Sequence, residues 1–398
     1  MTSMQHKFGA LDLIRAGLQD LDRARTLFDE LHNDGIDDDR MRLLLATLEK
    51  ACDPDIALSN LVDIIKVMQS QGKDFTNIIA DENSFVRLIT VLGVSDEMGK
   101  LMRFRPELVE AAANDACESH LYNHEQRRAH VLKSVGADPN DHTMPTASLP
   151  LAEAATALRK TYRKQLAAIM AQDATANDPI EISTELSDLA DAALEGALAI
   201  ARHEVDGSEH VRFAIIGMGK LGAQELNYVS DVDLIYVVEP ADMDTNGMTL
   251  SRIGTKMATT LQRVCQSVIM GVAEPTLWQI DGGLRPEGKD GPLVRRLESH
   301  EAYYEQWAEN WEFQALLKAR PVAGDTALGQ AYMDMTRPFV WTASKRDNFV
   351  YDCQQMRKRV EDLIPNPLKD REIKLGRGGL RDVEFTVQML QLVHGRSD

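Results

Sequence analysis

The stretch from Arg212 to Glu239, RFAIIGMGKLGAQELNYVSDVDLIYVVE, decides the fold of this chain. It has the pattern of a buried strand, a glycine-rich turn, a short helix at about 220–228 and a second strand at about 231–238. The second strand carries Asp231 and Asp233 where apolar residues are expected. Side chains at i and i+2 share one face of a strand, about 7 Å apart at the backbone. Because two adjacent acids repel each other unless a cation lies between them, the pattern predicts a bound divalent metal.

The composition is that of a folded protein, with 44% apolar and 27% charged residues. A chain of 398 residues is too long for one ordinary core, so we expect two or three subdomains. No run of 18 or more apolar residues occurs, and the first residues lack the segments of a signal peptide, so no membrane partner is expected. The four cysteines, Cys52, Cys117, Cys265 and Cys353, lack metal-binding spacing and indicate reduced thiols in a cytoplasmic protein.

The net charge of −18 argues against a general nucleic-acid-binding surface, which would be basic. We therefore expect no nucleic-acid partner. A ligand that carries phosphate would need local cations in such an acidic protein, and a metal is one way to supply them.

The secondary-structure pattern changes near residue 206. Residues 1–205 have helical periodicity, with a helix predicted to begin at Asp53-Pro54, others at Asp81 or Asn83 and at Ser95, a linker at about 136–150, and long helices at about 150–172 and 184–204. Residues 206–325 alternate strands and helices. Residues 326–398 are predicted to be helical, with a loop at 374–379 before a last helix at 380–394.

Two further elements are predicted in the strand-containing part. Residues 276–281 have the alternation of a third strand, which places Gln279 and Asp281 on one face. The aromatic residues Tyr303, Tyr304, Trp307 and Trp311 recur at helical spacing and are predicted to lie in a core rather than to stack on bases. The whole pattern predicts an α+β fold that is predominantly helical, with a small mixed sheet between helical regions.

The glycine-rich turn has two interpretations. Gly217, Gly219 and Gly222 satisfy G-x-G-x-x-G after a strand, and Glu239 closes the next strand, as in dinucleotide-binding proteins. Against NAD binding, the intervening helix is short for a parallel crossover, Lys220 lies inside the turn, and the second strand is too polar for a central parallel strand.

The alternative is a phosphate cradle beside an acidic strand. Glycines let backbone N–H groups approach a phosphate, and the start of a helix favours anions. Asp231 and Asp233, with a third acid from a neighbouring strand, would hold one or two Mg²⁺ (or Mn²⁺) ions at that phosphate. Asp281 is the best candidate for the third acid because it ends a strand.

Four segments resemble one family. Residues 217–237 resemble the G-x-G-K-L-G-G-x-E-L-N-x-x-S-D-x-D-L signature of glutamine synthetase adenylyltransferase/adenylyl-removing enzymes, with Ala223 where the family usually has Gly. DGGLRPEGKDGPLV (281–294), WEFQALLKARPVAGD (311–325) and KLGRGGLRDVEFTVQMLQL (374–392) resemble later segments of the same family. The family is part of the polymerase-beta-like nucleotidyltransferase superfamily, so the resemblance implies a nucleotidyltransferase core in residues 206–325.

The resemblance implies a reaction. Family members carry two catalytic halves, and this chain looks like the N-terminal half, which removes AMP from a tyrosine of glutamine synthetase by phosphorolysis. Inorganic phosphate would be consumed and ADP released, and a PII signalling protein is expected as a regulatory partner. Two alternatives remain: transfer of AMP from ATP to the same tyrosine, or a regulatory module that senses PII without turnover of its own.

The resemblance also implies roles for individual residues. Asp231, Asp233 and Asp281 would bind metal and act in catalysis. Gly217, Gly219, Lys220, Gly222 and Ser230 would cradle the nucleotide phosphates. Incoming phosphate needs a cation, and the candidates are Arg285, Lys289, Lys318 and Arg320. Asp382 and Glu384 would lie at the start of a helix, where acids are favoured, and Glu384 is predicted to form a wall of the active cleft.

Overall fold

The fold is described from a computed structural model that covers residues 8–73, 75, 81–113, 123–174, 178–242, 246–369 and 371–395. Cys52, Cys265 and Cys353 are free thiols, and Cys117 lies outside the described residues. Among the described residues, no helix is both long enough and apolar enough to cross a membrane.

Helices make up most of the described chain. Seven α-helices lie among the residues described before 114, namely α1 Ala10–Arg15, α2 Leu21–Asn33, α3 Asp38–Leu48, α4 Pro54–Ser70, α5 Glu82–Val94, α6 Asp96–Phe104 and α7 Glu107–Ala113. Five follow up to the middle of the sheet, namely α8 His124–Ser134, α9 Leu151–Asp173, α10 Pro179–Glu204, α11 Gly219–Gly222 and α12 Gly247–Gln266. The remaining helices are α13 Leu297–Gln306, α14 Asn310–Leu316, α15 Thr326–Thr342, α16 Phe349–Asp362 and α17 Leu380–His394.

Several helices begin at the predicted capping residues. The Asp53 side chain accepts a hydrogen bond from the backbone N–H of Ile56 at the start of α4, and Pro54 occupies the first turn. Ser95 caps α6 through the N–H of Met98. A side-chain oxygen satisfies a backbone donor that the helix itself leaves unpaired, so these signals are physical and local.

Contacts divide the chain into two compact units, one of residues 1–127 and 160–185 and one of residues 128–159 and 186–398. The first unit has a helical core. Its centre is a set of fully buried apolar side chains from successive helices, including Leu13, Met41, Leu58, Leu88 and Val109.

The second unit contains a five-stranded mixed sheet. Its strands are β1 Val211–Gly217, β2 Val232–Pro240, β3 Ile280–Asp281, β4 Val294–Arg295 and β5 Arg320–Gly324. The order is β3-β2-β1-β5, and β4 also pairs with β2. β1 is antiparallel to β2 and β5, whereas β3 and β4 run parallel to β2. The predicted α+β fold with a small mixed sheet is confirmed.

The two faces of the sheet contact different helices. Alternate residues Ala214, Ile216, Ile235 and Val237 belong to a buried cluster with side chains of α13 to α17. On the other face, Val238 lies against α12, where a Cβ at Gly254 would lie only 3.0 Å from it. Asp233 has the strand parity of Ile235 and therefore points toward the side of the C-terminal helices.

The predicted boundary at residue 205 does not coincide with the division between the units. Residues 186–204 of α10 belong to the unit that contains the sheet. There Glu195 accepts a hydrogen bond from the backbone N–H of Gly324 at the end of β5, 2.7 Å away. Residues 136–150, predicted as a linker, are part of the same unit, and Ala147 donates to the carbonyl of Ala199 over 3.0 Å.

Three predicted elements are shorter than expected or divided. The helix expected at 220–228 is the single turn Gly219–Gly222. The strand expected at 276–281 is reduced to Ile280–Asp281, because only these two residues pair with β2. The aromatic helix is two helices, α13 and α14, and the prediction that Trp307 is a core residue is wrong, since it is 74% exposed.

Candidate active site

Two of the predicted metal-binding acids lie on adjacent strands. Asp233 of β2 is the direct partner of Asp281 of β3 in the parallel register. Asp281 is held by a hydrogen bond of 2.7 Å from the backbone N–H of Gly283 to its Oδ1. Asp231 is exposed and immediately precedes β2. The negative charges of Asp231 and Asp281 both act on Asp233, and these three acids are called the acid cluster below.

Among the three acids, Asp233 has a strongly shifted pKa. Burial raises its pKa to about 6, and the negative charges of Asp231 and Asp281 act in the same direction. The positive charges of Arg381 and Lys374 oppose this increase. Desolvation and like charges both disfavour a carboxylate, whereas a bound cation would favour it.

The glycine-rich turn lies directly against Asp233. The backbone N–H of Met218 donates to the Asp233 carbonyl over 2.8 Å. Gly219 has φ of +55°, and a Cβ there would lie 2.5 Å from Oδ2 of Asp233. A Cβ at Gly217 would lie 2.6 Å from Val322, and one at Gly222 would collide with the Lys318 carbonyl. The turn thus requires glycines for close packing.

The two polar residues of the turn segment contact their own neighbourhood. Lys220 Nζ donates to Oδ1 of Asn227 over 3.4 Å, and Ser230 Oγ donates to the Asp231 carbonyl over 2.9 Å. Both residues are half-buried. Their predicted role in a phosphate cradle remains a prediction.

The strand arrangement excludes the dinucleotide-binding interpretation. A dinucleotide fingerprint needs a parallel βαβ unit, whereas β1 and β2 are antiparallel. Glu239 would contact the ribose in that interpretation. It instead accepts hydrogen bonds from Arg296 and from the backbone N–H of Leu297 at the start of α13.

A cavity of about 240 Å³ opens beside Asp233. Gly219 and Asp233 form one end of it, together with charged residues Lys318, Arg381 and Glu384. The remaining lining is mainly apolar and comes from the loop after β3 and from α14, α16 and α17: Leu284, Trp311, Gln314, Ala315, Met356, Val360, Phe385 and Gln388. A charged end with an apolar interior is typical of small-molecule sites.

Lys318 and Glu384, both predicted, meet in this cavity. Lys318 Nζ donates to Glu384 Oε1 over 2.9 Å and to Glu225 over 2.8 Å. Arg381 donates to the other Glu384 oxygen over 2.7 Å. Burial acts to raise the pKa of Glu384, but the Lys318 hydrogen bond and the Arg381 charge outweigh it, so the pKa is lowered and Glu384 is ionised.

Arg320 and Arg285 are committed to contacts within the protein. The Arg320 guanidinium donates to both oxygens of buried Asp191, at 2.6 and 3.2 Å, and to the carbonyls of Leu221 and Gly222. Arg285 donates to three backbone carbonyls of its own loop. These contacts favour structural roles over the predicted binding of phosphate.

Lys289 and Asp382 also lie outside the cavity lining. Lys289 is exposed, and its carbonyl accepts a hydrogen bond from Arg285. Asp382 accepts hydrogen bonds from Arg357 and, over 2.5 Å, from the backbone N–H of Gly378. Asp382 thus stabilises the start of α17.

Comparison with known proteins identifies the family. The family model described as glutamate-ammonia ligase adenylyltransferase matches residues 85–335, more than half of the chain. The chain belongs to this adenylyltransferase family. The predicted resemblance is confirmed.

Curated relatives of this adenylyltransferase family are named bifunctional glutamine synthetase adenylyltransferase/adenylyl-removing enzyme. The chain is 75% identical over 402 residues to one from Bifidobacterium longum (strain DJO10A), covering 100% of the chain and 37% of the relative. It is 43% identical to one from Cutibacterium acnes, covering 98% and 39%, and 41% identical to one from Streptomyces avermitilis, covering 97% and 37%. The chain thus spans little more than a third of the length of these relatives.

A second family model matches the C-terminal part of this adenylyltransferase-family chain. The model described as GlnD PII-uridylyltransferase matches residues 354–398, which include α17. The match therefore covers Arg381 and Glu384 at the charged end of the cavity.

Sequence reasoning missed several residues around the site of this adenylyltransferase-family chain. Arg381, Gln314 and Gln388 line the cavity, and Asp191 of α10 anchors Arg320. Asp191 lies in a helical pattern without a motif, so nothing local marks it. Gln314 and Gln388 lie inside two of the quoted segments, and that position was the only signal in the sequence.

Proposed function

We propose that this chain removes AMP from an adenylylated tyrosine of glutamine synthetase by metal-dependent phosphorolysis, which yields ADP and unmodified glutamine synthetase. The observation that carries the proposal is the in-register pairing of Asp233 with Asp281 at the end of a cavity, against the glycine-rich turn. The names of the relatives, which combine adenylyltransferase and adenylyl-removing activities, support the choice of substrate.

The three acids carry the ligand chemistry that a hard divalent cation prefers. Mg²⁺ and Mn²⁺ prefer carboxylate oxygens, and Asp231, Asp233 and Asp281 supply them. The raised pKa of Asp233, about 6, arises from burial and from the two neighbouring acids, which is the electrostatic problem that a cation relieves. When bound, the metal would neutralise charge on the phosphate that reacts.

In the proposed phosphorolysis, this chain would act mainly by positioning the two phosphate groups that react. An oxygen of inorganic phosphate attacks the phosphorus of the tyrosine-bound AMP, a P–O–P bond forms, and the bond from phosphorus to the tyrosine oxygen breaks. The tyrosine oxygen leaves with the electron pair and takes up a proton, and the product is ADP. The turn that contains Gly217, Gly219 and Gly222 lies against Asp233 and would present its backbone N–H groups to the nucleotide phosphates.

Attacking phosphate also needs positive charge from the chain. We propose Arg381 and Lys318 for this role, because both line the cavity end that contains Asp233. Both already contact Glu384, at 2.7 and 2.9 Å, and this carboxylate would hold them in place. Arg381 also lowers the pKa of Asp233, so its charge acts on the acid cluster.

The decisive experiment incubates adenylylated glutamine synthetase, Mg²⁺ and phosphate with this chain and measures ADP. The wild-type chain should release ADP. The double variant Asp231→Asn, Asp233→Asn should lose at least about 100-fold in rate, since removal of charge stabilisation at a phosphoryl centre is costly.

The matched control removes two exposed acids of the same unit, Asp206 and Asp290, as Asp206→Asn, Asp290→Asn. It has the same net charge as the test variant and should keep full activity. Full ADP release by the Asp231/Asp233 variant would overturn the metal assignment. Transfer of labelled AMP from ATP to unmodified glutamine synthetase, with release of pyrophosphate and without ADP release in the first assay, would reverse the direction of the proposed reaction.

We further propose a PII protein as a regulatory partner and a cytoplasmic location. The match of residues 354–398 to a PII-uridylyltransferase model supports the partner, and the free thiols of Cys52, Cys265 and Cys353 are compatible with a reducing compartment. Titration of PII into the ADP-release assay should change the rate. An unchanged rate at saturating PII would remove this partner from the proposal.

A further inference from the structure

An amide pair forms the interior wall of the cavity. Gln314 of α14 and Gln388 of α17 are 3% and 7% exposed, and both line the cavity. Gln314 Nε2 donates to Gln388 Oε1 over 2.8 Å, and Gln388 Nε2 faces Glu384 Oε1 at 3.5 Å. Among the described residues, Gln314 Oε1 is buried and has no hydrogen-bond partner.

The orientation of both amides follows from Glu384. This carboxylate is ionised beside Lys318 and Arg381, so it can only accept hydrogen bonds. Gln388 must therefore turn its NH₂ toward Glu384 and its oxygen toward Gln314. Gln314 must in turn direct its NH₂ toward Gln388, which leaves its own oxygen as an acceptor.

A buried acceptor without a partner is destabilising unless a ligand supplies a donor. The cavity around Gln314 has flat apolar walls that include Trp311 and Phe385. Its volume of about 240 Å³ lies just below the range of sites for drug-sized ligands, roughly 300–1,000 Å³. These dimensions suit one flat heterocycle whose phosphates extend toward Asp233.

We propose that this cavity receives the base of a 6-aminopurine nucleotide and that Gln314 selects it by accepting a hydrogen bond from the 6-amino group. A glutamine side chain also has a second N–H with which to meet a ring nitrogen, as in its pairing with adenine elsewhere. A 6-oxopurine would place an acceptor against an acceptor and is rejected. Gln388 is a positioning residue, because it fixes which atom Gln314 presents. The inference rests on the proposed function only in taking this cavity as the nucleotide site.

The test compares the binding of ADP and IDP, which differ at the 6-position, by titration calorimetry with Mg²⁺. The wild-type chain should bind ADP roughly 10- to 100-fold more tightly than IDP, the factor that corresponds to one buried hydrogen bond. Gln314→Met should lose affinity for ADP and keep that for IDP, so that the ratio approaches one. The matched control Gln354→Met, an exposed position on α16, should leave both dissociation constants unchanged.

Gln388→Leu tests the proposed role of Gln388 in orienting Gln314. It also provides a second test of the inference if Gln314→Met does not fold. Gln314 is then free to rotate and present its NH₂, so IDP should bind more tightly than to the wild-type chain. A wild-type chain that binds ADP and IDP equally, or an unchanged ratio in folded Gln314→Met, would overturn the inference. These outcomes are independent of the ADP-release assay. If the chain releases ADP but binds ADP and IDP equally, only the role of Gln314 is refuted. If the chain prefers ADP to IDP but releases no ADP from adenylylated glutamine synthetase, only the proposed reaction is refuted.

Discussion

At the residue scale, Asp233 combines a functional position with an energetic penalty. It lies on a buried strand, next to two other acids and against a glycine whose missing side chain makes room for it. A folded protein without metal holds this carboxylate in an unfavourable environment. Stability and the proposed metal binding therefore make opposite demands on this position.

Removing the Asp233 charge should stabilise the metal-free protein above pH 6. The pKa of Asp233 is about 6 in the folded chain against an ordinary 3.8, so between these values the folded state holds a proton that the unfolded state has released. The contribution of Asp233 to stability is then fully present below about pH 4 and is lost as pH rises through about 6. In chelator, Asp233→Asn should melt a few degrees above wild type at pH 8, with the gap closing toward pH 4.

Thermal unfolding at several pH values measures this gap. Asp206→Asn, at an exposed position, supplies the control and should show no pH-dependent difference from wild type. A gap for Asp233→Asn that stays constant from pH 4 to pH 8 would contradict the prediction.

Gly219→Ala should impair ADP release much more than it impairs folding. The new Cβ would lie 2.5 Å from Asp233 Oδ2 and would displace that carboxylate. A displacement of about 1 Å in an active site can cost on the order of 100-fold in rate. Gly35→Ala is the matched control, since Gly35 has φ of +90° and a Cβ added there would meet no atom within 4 Å.

Both alanine variants carry the backbone cost of a left-handed residue, roughly 1–2 kcal/mol. Comparable melting temperatures with a rate loss confined to Gly219→Ala are the expected result. Equal rates in the two variants would show that the contact with Asp233 does not matter for turnover.

The proximity of the acids could be predicted at this scale, and the contacts of most of the cations could not. The i, i+2 spacing of Asp231 and Asp233 on a strand is a strong local signal, and Asp281 followed from the end of another predicted strand. Arg320, by contrast, contacts Asp191, 129 positions earlier in the chain. No local pattern distinguishes a guanidinium that binds a buried acid from one that binds phosphate.

At the element scale, the antiparallel pairing of β1 and β2 separates this site from a dinucleotide fold. The same G-x-G-x-x-G letters occur in both, but here the glycines serve close contacts with Asp233, Val322 and Lys318. Helix starts were predictable because Asp53 and Ser95 satisfy backbone donors locally. The extent of β3 was not, because the number of residues that pair depends on β2.

Contact between α10 and the sheet should matter for stability through Asp191. Asp191 is 1% exposed and accepts two hydrogen bonds from Arg320, which contacts the glycine-rich turn through the carbonyl of Gly222. Arg320→Met should destabilise the chain by about 2–4 kcal/mol, because it leaves a buried carboxylate without that partner. Asp334→Asn, which breaks an exposed pair with Arg337, should cost no more than about 1 kcal/mol.

Urea unfolding gives both free energies, and the KM for phosphate gives a second readout. If Arg320 has only a structural role, Arg320→Met should lose stability, and the fraction that remains folded should keep the wild-type KM for phosphate. A stable Arg320→Met with a strongly raised KM would restore the role in phosphate binding that the sequence suggested.

At the scale of the whole molecule, a bound metal should stabilise the entire folded unit. A ligand that binds only the folded state adds about 2.7 kcal/mol at 100 times its dissociation constant. Mn²⁺ should therefore raise the melting temperature of the wild-type chain, and a chelator should reverse the increase. Asp231→Asn, Asp233→Asn should show no such shift, whereas the Asp206/Asp290 control should respond like wild type.

A manganese-induced shift of equal size in the Asp231/Asp233 variant would locate metal binding elsewhere in the chain. The experiment is independent of glutamine synthetase, so it tests the acid cluster even in a preparation that shows no turnover.

β1 pairs with one strand that is close to it in the sequence and with one that is far away, and this difference affects the order of folding. β2 begins 15 positions after β1 ends, whereas β5 begins more than 100 positions after β1. Short loops close faster than long ones, so the β1–β2 hairpin with its acids should form before β5 and the last helices close the cavity. Pulsed hydrogen exchange should protect the amide of Ala214 earlier than that of Asp325, which follows β5 and donates to the Phe213 carbonyl of β1. A nascent chain would then possess its acidic strand before it possesses the cavity beside that strand.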